Sequence, residues 1–444
     1  MKGLRIYDAL KNFSKTNPLR LAMPGHKGRC KFLLRLNACK LDVTELKAID
    51  NEKIVRDAEI DCQKILGARH LRFLTDGSTS GIFSMLYAVK DMGDELIINR
   101  TAHKSVYNAL KLLGIAPVVV DGRALSGAEQ TPSVEITERV LDAHPNAIGV
   151  LYTYPDYYGR EYQIENLSAL LKKRGKLLII DGAHGGHYKF IGNAYAGDFA
   201  DLWVDGAHKT MPTLNQGAIV CTSREDLIRK LDEGVGIFST TSPSYPILAS
   251  VEYGVKYTAQ KCAKTHDNFL GWLNKLKTKL TKLGLWVMEK TDPYKLSVDF
   301  GGAGYRTDEI ENLLIKKGVH AEMNDKRHIL FMFSVLTSLS DLKRLYRAIK
   351  YAVSLAQKSE PKQNDKIPVG ERVMPYLQAV NAENEYIPLL DAENRISAEN
   401  IGKFPPCYPL VVAGERVTGE VIRELDCENT FGIKDGKIKV VKEK

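Results

Sequence analysis

The residues best able to do chemistry in this sequence stand directly after short apolar runs of strand character. Leu202–Val204 leads into Asp205-Gly206-Ala207-His208-Lys209-Thr210, which sets a lysine beside a histidine. Lys176–Ile180 leads into Asp181-Gly182-Ala183-His184-Gly185-Gly186-His187, a carboxylate followed by two histidines on a glycine-rich loop. Glu95–Asn99 leads into Arg100-Thr101-Ala102-His103-Lys104, and Leu71–Thr75 into Asp76-Gly77-Ser78-Thr79-Ser80-Gly81. A Gly-Ser-Thr turn at a helix start offers free N–H groups and the positive end of the dipole to an anion such as phosphate. The same turn can also be a simple N-cap through Ser78 or Thr79. An aspartate straight after a buried strand is costly unless it is paired with a cation or hydrogen-bonded. Taken singly, none of these runs is specific, because a lone histidine at a strand end is commonly structural and a lone lysine commonly solvated. The Asp-x-x-His-x-x-His spacing also suits a metal ion, but no further carboxylate or cysteine stands near it, and no metal is expected. In chain order they form one set: a phosphate cradle, a histidine to stack on a ring, an acid and a lysine. Pyridoxal phosphate needs that set, the lysine to form a Schiff base with its aldehyde and the acid to pair with its pyridine nitrogen.

Ligands of open α/β sheets bind outside the carboxyl ends of the strands, so the elements between these runs must build such a sheet. The pattern predicts strands at Leu71–Thr75, Glu95–Asn99, Ala116–Val120, Ala147–Thr153, Lys176–Ile180, Leu202–Val204 and Gly217–Thr222. Helices are expected at Asp57–Leu66, Thr79–Met92, Ser105–Leu113, Glu138–Ala143 and Ile164–Arg174, with a shorter opening helix at Tyr7–Phe13. Continuous apolar strands separated by amphipathic helices argue for an α/β domain with a mainly parallel sheet covered on both faces. A long helix near Pro246–Leu283 should leave that sheet for a smaller α+β domain, containing Leu296–Phe300, Thr307–Lys317, His328–Phe333 and Ser338–Gln357. The polar run Ser359–Asp365 reads as a linker. The expected organisation is an N-terminal arm (1–45), a major domain (46–255), a small α+β domain (256–358) and a C-terminal domain of short strands and turns (366–444).

The chain's 444 residues, 44% hydrophobic and 26% charged, have the balance of an ordinary globular protein, which excludes wholesale disorder and a disulfide-dense scaffold. No apolar stretch approaches the ~20 residues of a membrane span. Lys and Arg number 63 against 54 acids, a net +9; they are scattered, so neither nucleic acid nor membrane is expected as a partner. The seven cysteines are odd in number and contain no C-x-x-C pair, which suits reduced thiols in the cytoplasm.

In these motifs the sequence resembles the prokaryotic ornithine/lysine/arginine decarboxylases, pyridoxal-phosphate enzymes of fold type I. The matching runs are Met23-Pro24-Gly25-His26-Lys27-Gly28, Asp42-Val43-Thr44-Glu45, Thr75–Gly81, Arg100–Ser105, Asp181–His187 and His208-Lys209-Thr210. Thr240-Thr241-Ser242-Pro243-Ser244-Tyr245, Asp292-Pro293-Tyr294-Lys295, Phe404-Pro405-Pro406-Cys407-Tyr408-Pro409 and Ala413-Gly414-Glu415 follow in order, so the resemblance spans nearly the whole chain. It is expected to be the short form, without the receiver-like wing of the long members. The resemblance implies Lys209 as the Schiff-base lysine, Asp181 as the pyridinium partner and His103 on the ring face. It implies Gly77, Ser78 and Thr79 at the phosphate, His184 near the ring's phenolic oxygen and His208 near the phosphate or the reacting face. Thr241 lies on a loop that reaches the neighbouring subunit's site, which implies a homodimer or a larger homo-oligomer. The sequence departs from the family at Gly206, where a Ser is common, and at Asp156, where a Thr is usual.

The activity so implied is decarboxylation of arginine, lysine or ornithine to the amine and carbon dioxide, as in polyamine biosynthesis. Lys209, His208 and His103 would be the catalytic residues, with Asp156 and Glu322 the acids to examine for substrate recognition. The alternatives are another reaction of the same cofactor, with Arg306 or Arg327 clamping a substrate carboxylate, a catalytically idle cofactor-binding partner, and a metal hydrolase using Asp181, His184 and His187.

Overall fold

The structure, a computed structural model, describes residues 12–29, 42–43, 50–121, 132–289, 291–361, 368–404, 408–425 and 429–443. Most of the expected opening helix, part of the Asp42–Glu45 run and residues 405–407 lie outside them. A three-residue strand, β1 (Leu19–Leu21), comes first, followed by helix α1 (Asn51–Leu66). The alternating unit then runs β2 (His70–Leu74), α2 (Gly77–Val89), β3 (Glu95–Asn99), α3 (Lys104–Leu113), β4 (Ala116–Val120) and α4 (Val134–Ala143). It continues through β5 (Gly149–Thr153), α5 (Ile164–Lys173), β6 (Leu177–Gly182), β7 (Leu202–Asp205), the single turn α6 (Ala207–Thr210) and β8 (Ala218–Thr222).

Strands β2 to β8 form one seven-stranded sheet in the order β4-β3-β5-β6-β7-β8-β2. Pairings from β4 to β7 are parallel, and only β8 runs antiparallel to its two neighbours. Strand order reverses between β3 and β5, so the carboxyl ends of these strands open a crevice at that point. Alternate strand residues face two separate cores, as a doubly covered sheet requires. Ile97, Val150, Ile180 and Trp203 enter one, while Ile98, Leu151, Ile179 and Val204 enter the other. Gly149 sits where β5 passes closest to β6; a Cβ there would come within 2.1 Å of the Leu177 carbonyl oxygen.

After α7 (Ile228–Phe238), which packs on α2, the helix α8 (Tyr245–Thr281) runs unbroken for 37 residues through positions 255 and 256. Beyond it, β9 (Trp286–Val287), β10 (Lys295–Asp299), β12 (Met323–Asn324) and β13 (His328–Met332) form an antiparallel sheet; α9 (Thr307–Lys316) packs on β12 and β13, and α10 (Leu339–Leu355) packs on α8 and α9. Strand β11 (Val319–Ala321) pairs with β1, so the N-terminal segment is tied to this unit. The C-terminal segment contributes short strands and two short helices. Its Tyr376, Ala379, Val380, Val412 and Ala413 lie in the second core of the large sheet. No helix among the described residues is long and apolar enough to cross a membrane.

Candidate active site

The strand ends converge on one open cleft of about 650 Å³, lined by Gly77, Ser78, Thr79, His103, Asp181, His184, His208 and Lys209. Met23, Thr101, Thr153, Tyr157, Gln216, Glu322 and Phe404 also contribute to its wall. Register explains why the acid lies there: Asp181 pairs with Thr153 at the last rung between β5 and β6, and with Val204 at the last rung but one between β6 and β7.

Helix α2 begins at the cleft with Gly77 at φ +73°, and open space surrounds the position of its absent Cβ. Its N-cap residue is Asp76, and no side chain caps the helix. The Asp76 carboxylate instead accepts from Thr75 Oγ1 at 3.2 Å and Thr240 N–H at 3.3 Å. The Ser78 hydroxyl is buried without a partner. Between the two readings of this turn, the simple cap through Ser78 or Thr79 therefore fails. An uncapped helix start with a buried, unmatched hydroxyl is a cradle for an anion.

Around the lysine the polar groups are arranged tightly. Lys209 Nζ lies 3.0 Å from His184 Nε2, so the neutral imidazole accepts from the amine. Burial first, and then the charges of Lys209 and Lys295, hold His184 well below the usual histidine range. His208 Nδ1 sits 2.9 Å from the Gly217 carbonyl, which can only accept, so Nδ1 carries the proton. Burial lowers His208 to about 4, and burial with the Lys209 charge lowers His103 to about 4. His103 Nδ1 accepts from Ser105 N–H at 3.2 Å and thereby caps helix α3. Asp181 is fully buried; desolvation pushes its carboxyl up, while Lys209 and the Ala183 N–H, 3.2 Å away, pull it back.

These residues fit pyridoxal phosphate. The open helix start and Ser78 suit its phosphate, Asp181 its ring nitrogen, and the unpartnered His184 Nδ1 its ring oxygen. Gly206 explains itself locally, since a Cβ there would lie 2.5 Å from the Ala183 carbonyl and 3.1 Å from Ser78 Oγ. Gly206→Ser is accordingly expected to loosen the cofactor about tenfold, by the ~1–3 kcal/mol of an overpacked site. Titration of the apo protein with pyridoxal phosphate, followed by absorbance, measures it.

Several of the residues named from the sequence lie outside this cleft, Thr241 among them, which was expected at the neighbouring subunit's site. Thr241 is exposed and lines a separate cleft with Glu59, Arg72 and Asp232. Asp156 was an acid to examine for the substrate, but its carboxylate accepts from Arg160 N–H at 2.8 Å and Arg160 Nε at 2.7 Å. It lines a different surface cleft. His187 bonds Asp292 at 2.9 Å and does not line the cleft that Asp181 and His184 share, which separates the three residues of the metal alternative. Arg327 pairs with Asp299 at 2.7 Å, and neither it nor Arg306 lines the cleft.

Glu322 does line it, held by Met23 N–H at 2.7 Å and by the Tyr157 hydroxyl at 2.8 Å. Tyr157 was missed by motif reasoning, although it directly follows Asp156. Its ring packs on His184 with centroids 4.7 Å apart. The buried Lys295, from the Asp292–Lys295 run, donates to the Tyr157 carbonyl at 2.8 Å.

A family model described as the Orn/Lys/Arg decarboxylase major domain matches residues 5–296, and the corresponding C-terminal domain matches residues 363–432. An arginine decarboxylase of Bacillus subtilis (strain 168) is 27% identical, covering 94% of this chain and 92% of that protein. The structure of the E. coli constitutive lysine decarboxylase superposes with a TM-score of 0.72 at 17% identity, covering 99% of this chain and 82% of that one. An alanine–glyoxylate aminotransferase from Nostoc sp. shares the fold at a TM-score of 0.61 and 13% identity, over 76% of this chain and 96% of its own. The last likeness shows that this scaffold is not confined to one reaction.

Proposed function

Because the chain belongs to the Orn/Lys/Arg decarboxylase family, whose members are pyridoxal-phosphate-dependent amino-acid decarboxylases, we propose that it releases carbon dioxide from a basic amino acid, arginine being the first to test. The observation that carries this reading is Glu322. It is an acid fixed by two donors in the wall of the cleft that holds Lys209, suited to a guanidinium or ammonium tail. The similarity to a protein named arginine decarboxylase supports arginine over lysine and ornithine.

When bound, the cofactor supplies an aldehyde to hold an amino group and a ring that accepts the electron pair released at Cα. The chain's residues do the rest. Gly77, Ser78 and Thr79 hold the phosphate, Asp181 keeps the ring nitrogen protonated, and His103 covers the ring. His184 orients the Lys209 amine at 3.0 Å. His208 has its one proton committed to the Gly217 carbonyl, so Lys209 is the better donor of the proton that replaces the carboxylate at Cα. Met23, Ile82 and Phe404 add apolar wall, and a drier site favours loss of a charged carboxylate. In this reading the protein is a cytoplasmic homodimer, and Thr241 serves the neighbouring subunit. The domain limits 46–255, 256–358 and 366–444 are part of the same proposal.

Aminotransfer, the nearest alternative, has less support, since the arginines considered as carboxylate clamps lie away from the cleft. The test is borohydride reduction of the holoenzyme with peptide mapping, followed by a screen of basic amino acids. Cofactor fixed to Lys209 and amine produced from one of them is the expected outcome; label on another lysine ends the assignment. Glu322→Gln should cost about 2 kcal/mol of a charge-assisted contact, roughly thirtyfold in kcat/KM. The loss is expected mainly as a higher KM with cofactor content unchanged, read by steady-state kinetics on the best substrate.

A further inference from the structure

Arg100 directly follows strand β3, three residues before His103, and it is 6% exposed. Its guanidinium grips Glu415 of the C-terminal segment with two prongs, Nη1 to Oε2 at 2.9 Å and Nη2 to Oε1 at 2.5 Å. Nε also bonds Asp121, and the Arg100 carbonyl accepts from the Tyr107 hydroxyl at 2.8 Å. Glu415 is 1% exposed and accepts a further bond from Val412 N–H at 2.8 Å. Such a bidentate, desolvated pair fixes both partners in direction as well as in distance. Removing Arg100 leaves the buried Glu415 carboxylate without its counter-ion, and removing Glu415 leaves the buried Arg100 with Asp121 alone.

The turn beyond Arg100 is pinned on its other side as well. Asn99 Nδ2 donates to Thr101 Oγ1 at 2.6 Å, and Asn99 Oδ1 accepts from Thr153 N–H at 3.3 Å. Arg100-Thr101-Ala102-His103 is thus held between strand β5 and the C-terminal segment, and its Thr101 and His103 line the cleft. The C-terminal segment is packed into the same side of the sheet, where the Tyr376 hydroxyl donates to the Tyr107 carbonyl at 3.3 Å and Arg372 to the Val119 carbonyl at 2.9 Å. It also sends Phe404 to the cleft wall.

We propose that Glu415 and Arg100 are positioning residues through which the C-terminal domain sets His103 against the cofactor. The clamp explains a buried charge pair that the reaction itself does not use. It also gives the C-terminal domain a task at the site that needs no contact with substrate. The inference rests on His103 facing the cofactor, as read above, and its test separates the two ideas.

The experiment uses holoenzyme and follows cofactor loss to an excess of an apo-protein trap, together with the visible circular dichroism of bound cofactor. Four proteins are compared: wild type, Glu415→Gln, His103→Ala and the double variant. If Glu415 acts through His103, the two changes are coupled and not additive. Glu415→Gln is then expected to speed cofactor loss about tenfold in the wild-type background and less than twofold beside His103→Ala. It should also weaken the dichroic band. Equal factors in both backgrounds, or lower thermal stability with cofactor retention unchanged, overturn the clamp. If His103→Ala itself leaves retention unchanged, the placement of His103 falls and the clamp with it. Arg100→Lys keeps the positive charge but not the two-pronged geometry; it repeats the comparison with the same expectations should the Glu415 variant not fold.

Discussion

Lys209→Ala is expected to reduce turnover by on the order of 10⁴-fold, combining loss of the amine that engages the cofactor with loss of the proton donor at Cα. The variant should still bind pyridoxal phosphate. The uncapped start of α2 and the buried Ser78 hydroxyl are untouched by the change. Lys209 also bonds His184 and lowers both His184 and His103 by its charge. Its removal should therefore raise those histidines toward their ordinary range while leaving them buried. Single-turnover assays and equilibrium cofactor titration read the two halves of the result. Activity near wild type in the alanine variant would end the assignment of Lys209.

Asp181→Asn should be the next most damaging change, with turnover reduced by on the order of 10²-fold. The side chain is fully buried at the end of β6, and its carboxyl is pushed up by desolvation and held down by Lys209. A protonated ring nitrogen is the counter-charge that such a carboxylate needs. Asparagine keeps the shape and can still accept from the Ala183 N–H, but it cannot stabilise that proton. The expected signature is a lower kcat with nearly normal KM and an altered absorption spectrum of bound cofactor. An unchanged kcat would mean that Asp181 does not face the ring nitrogen.

Much of the scaffold was legible because its signals are local. The run Glu95–Asn99 has an apolar centre between two polar ends, Ala116–Val120 is an apolar run closed by Asp121, and both strands appear with those limits. The chemistry-bearing residues were legible for a related reason. In a parallel sheet with short crossovers, successive strands deliver their carboxyl ends to one edge, so strand-end motifs meet without any long-range guess. Helix α1 starts earlier than expected because its first turn, Asn51-Glu52-Lys53, is polar, and the Asp50 side chain on Lys53 N–H defines it. Helix α7 escaped notice because Gly234 and Gly236 interrupt its pattern. Gly234 is there for packing, since a Cβ would meet the Ser84 backbone at 2.8 Å. Strand β1 is three residues long and is defined only by its distant partner β11.

The same reasoning separates what could and could not be seen of the site. Asp156 carried a signal that was overlooked, an arginine four residues on, which takes up its carboxylate. The grip of Tyr157 on Glu322 and that of Arg100 on Glu415 span 165 and 315 residues. No spacing rule reaches that far. Whether Ser78 capped a helix or faced an anion was likewise undecidable until Asp76 was seen at the cap position.

Carbon dioxide release is the direct readout of the proposed decarboxylation. Holoenzyme is incubated separately with carboxyl-labelled arginine, lysine and ornithine, and label in the gas phase is compared with amine formed. Equal amounts of carbon dioxide and amine are expected from one of the three, with arginine first, and no detectable product from the Lys209→Ala protein. Consumption of the amino acid without labelled carbon dioxide, or no product from any of them by a protein carrying a full complement of cofactor, would contradict it.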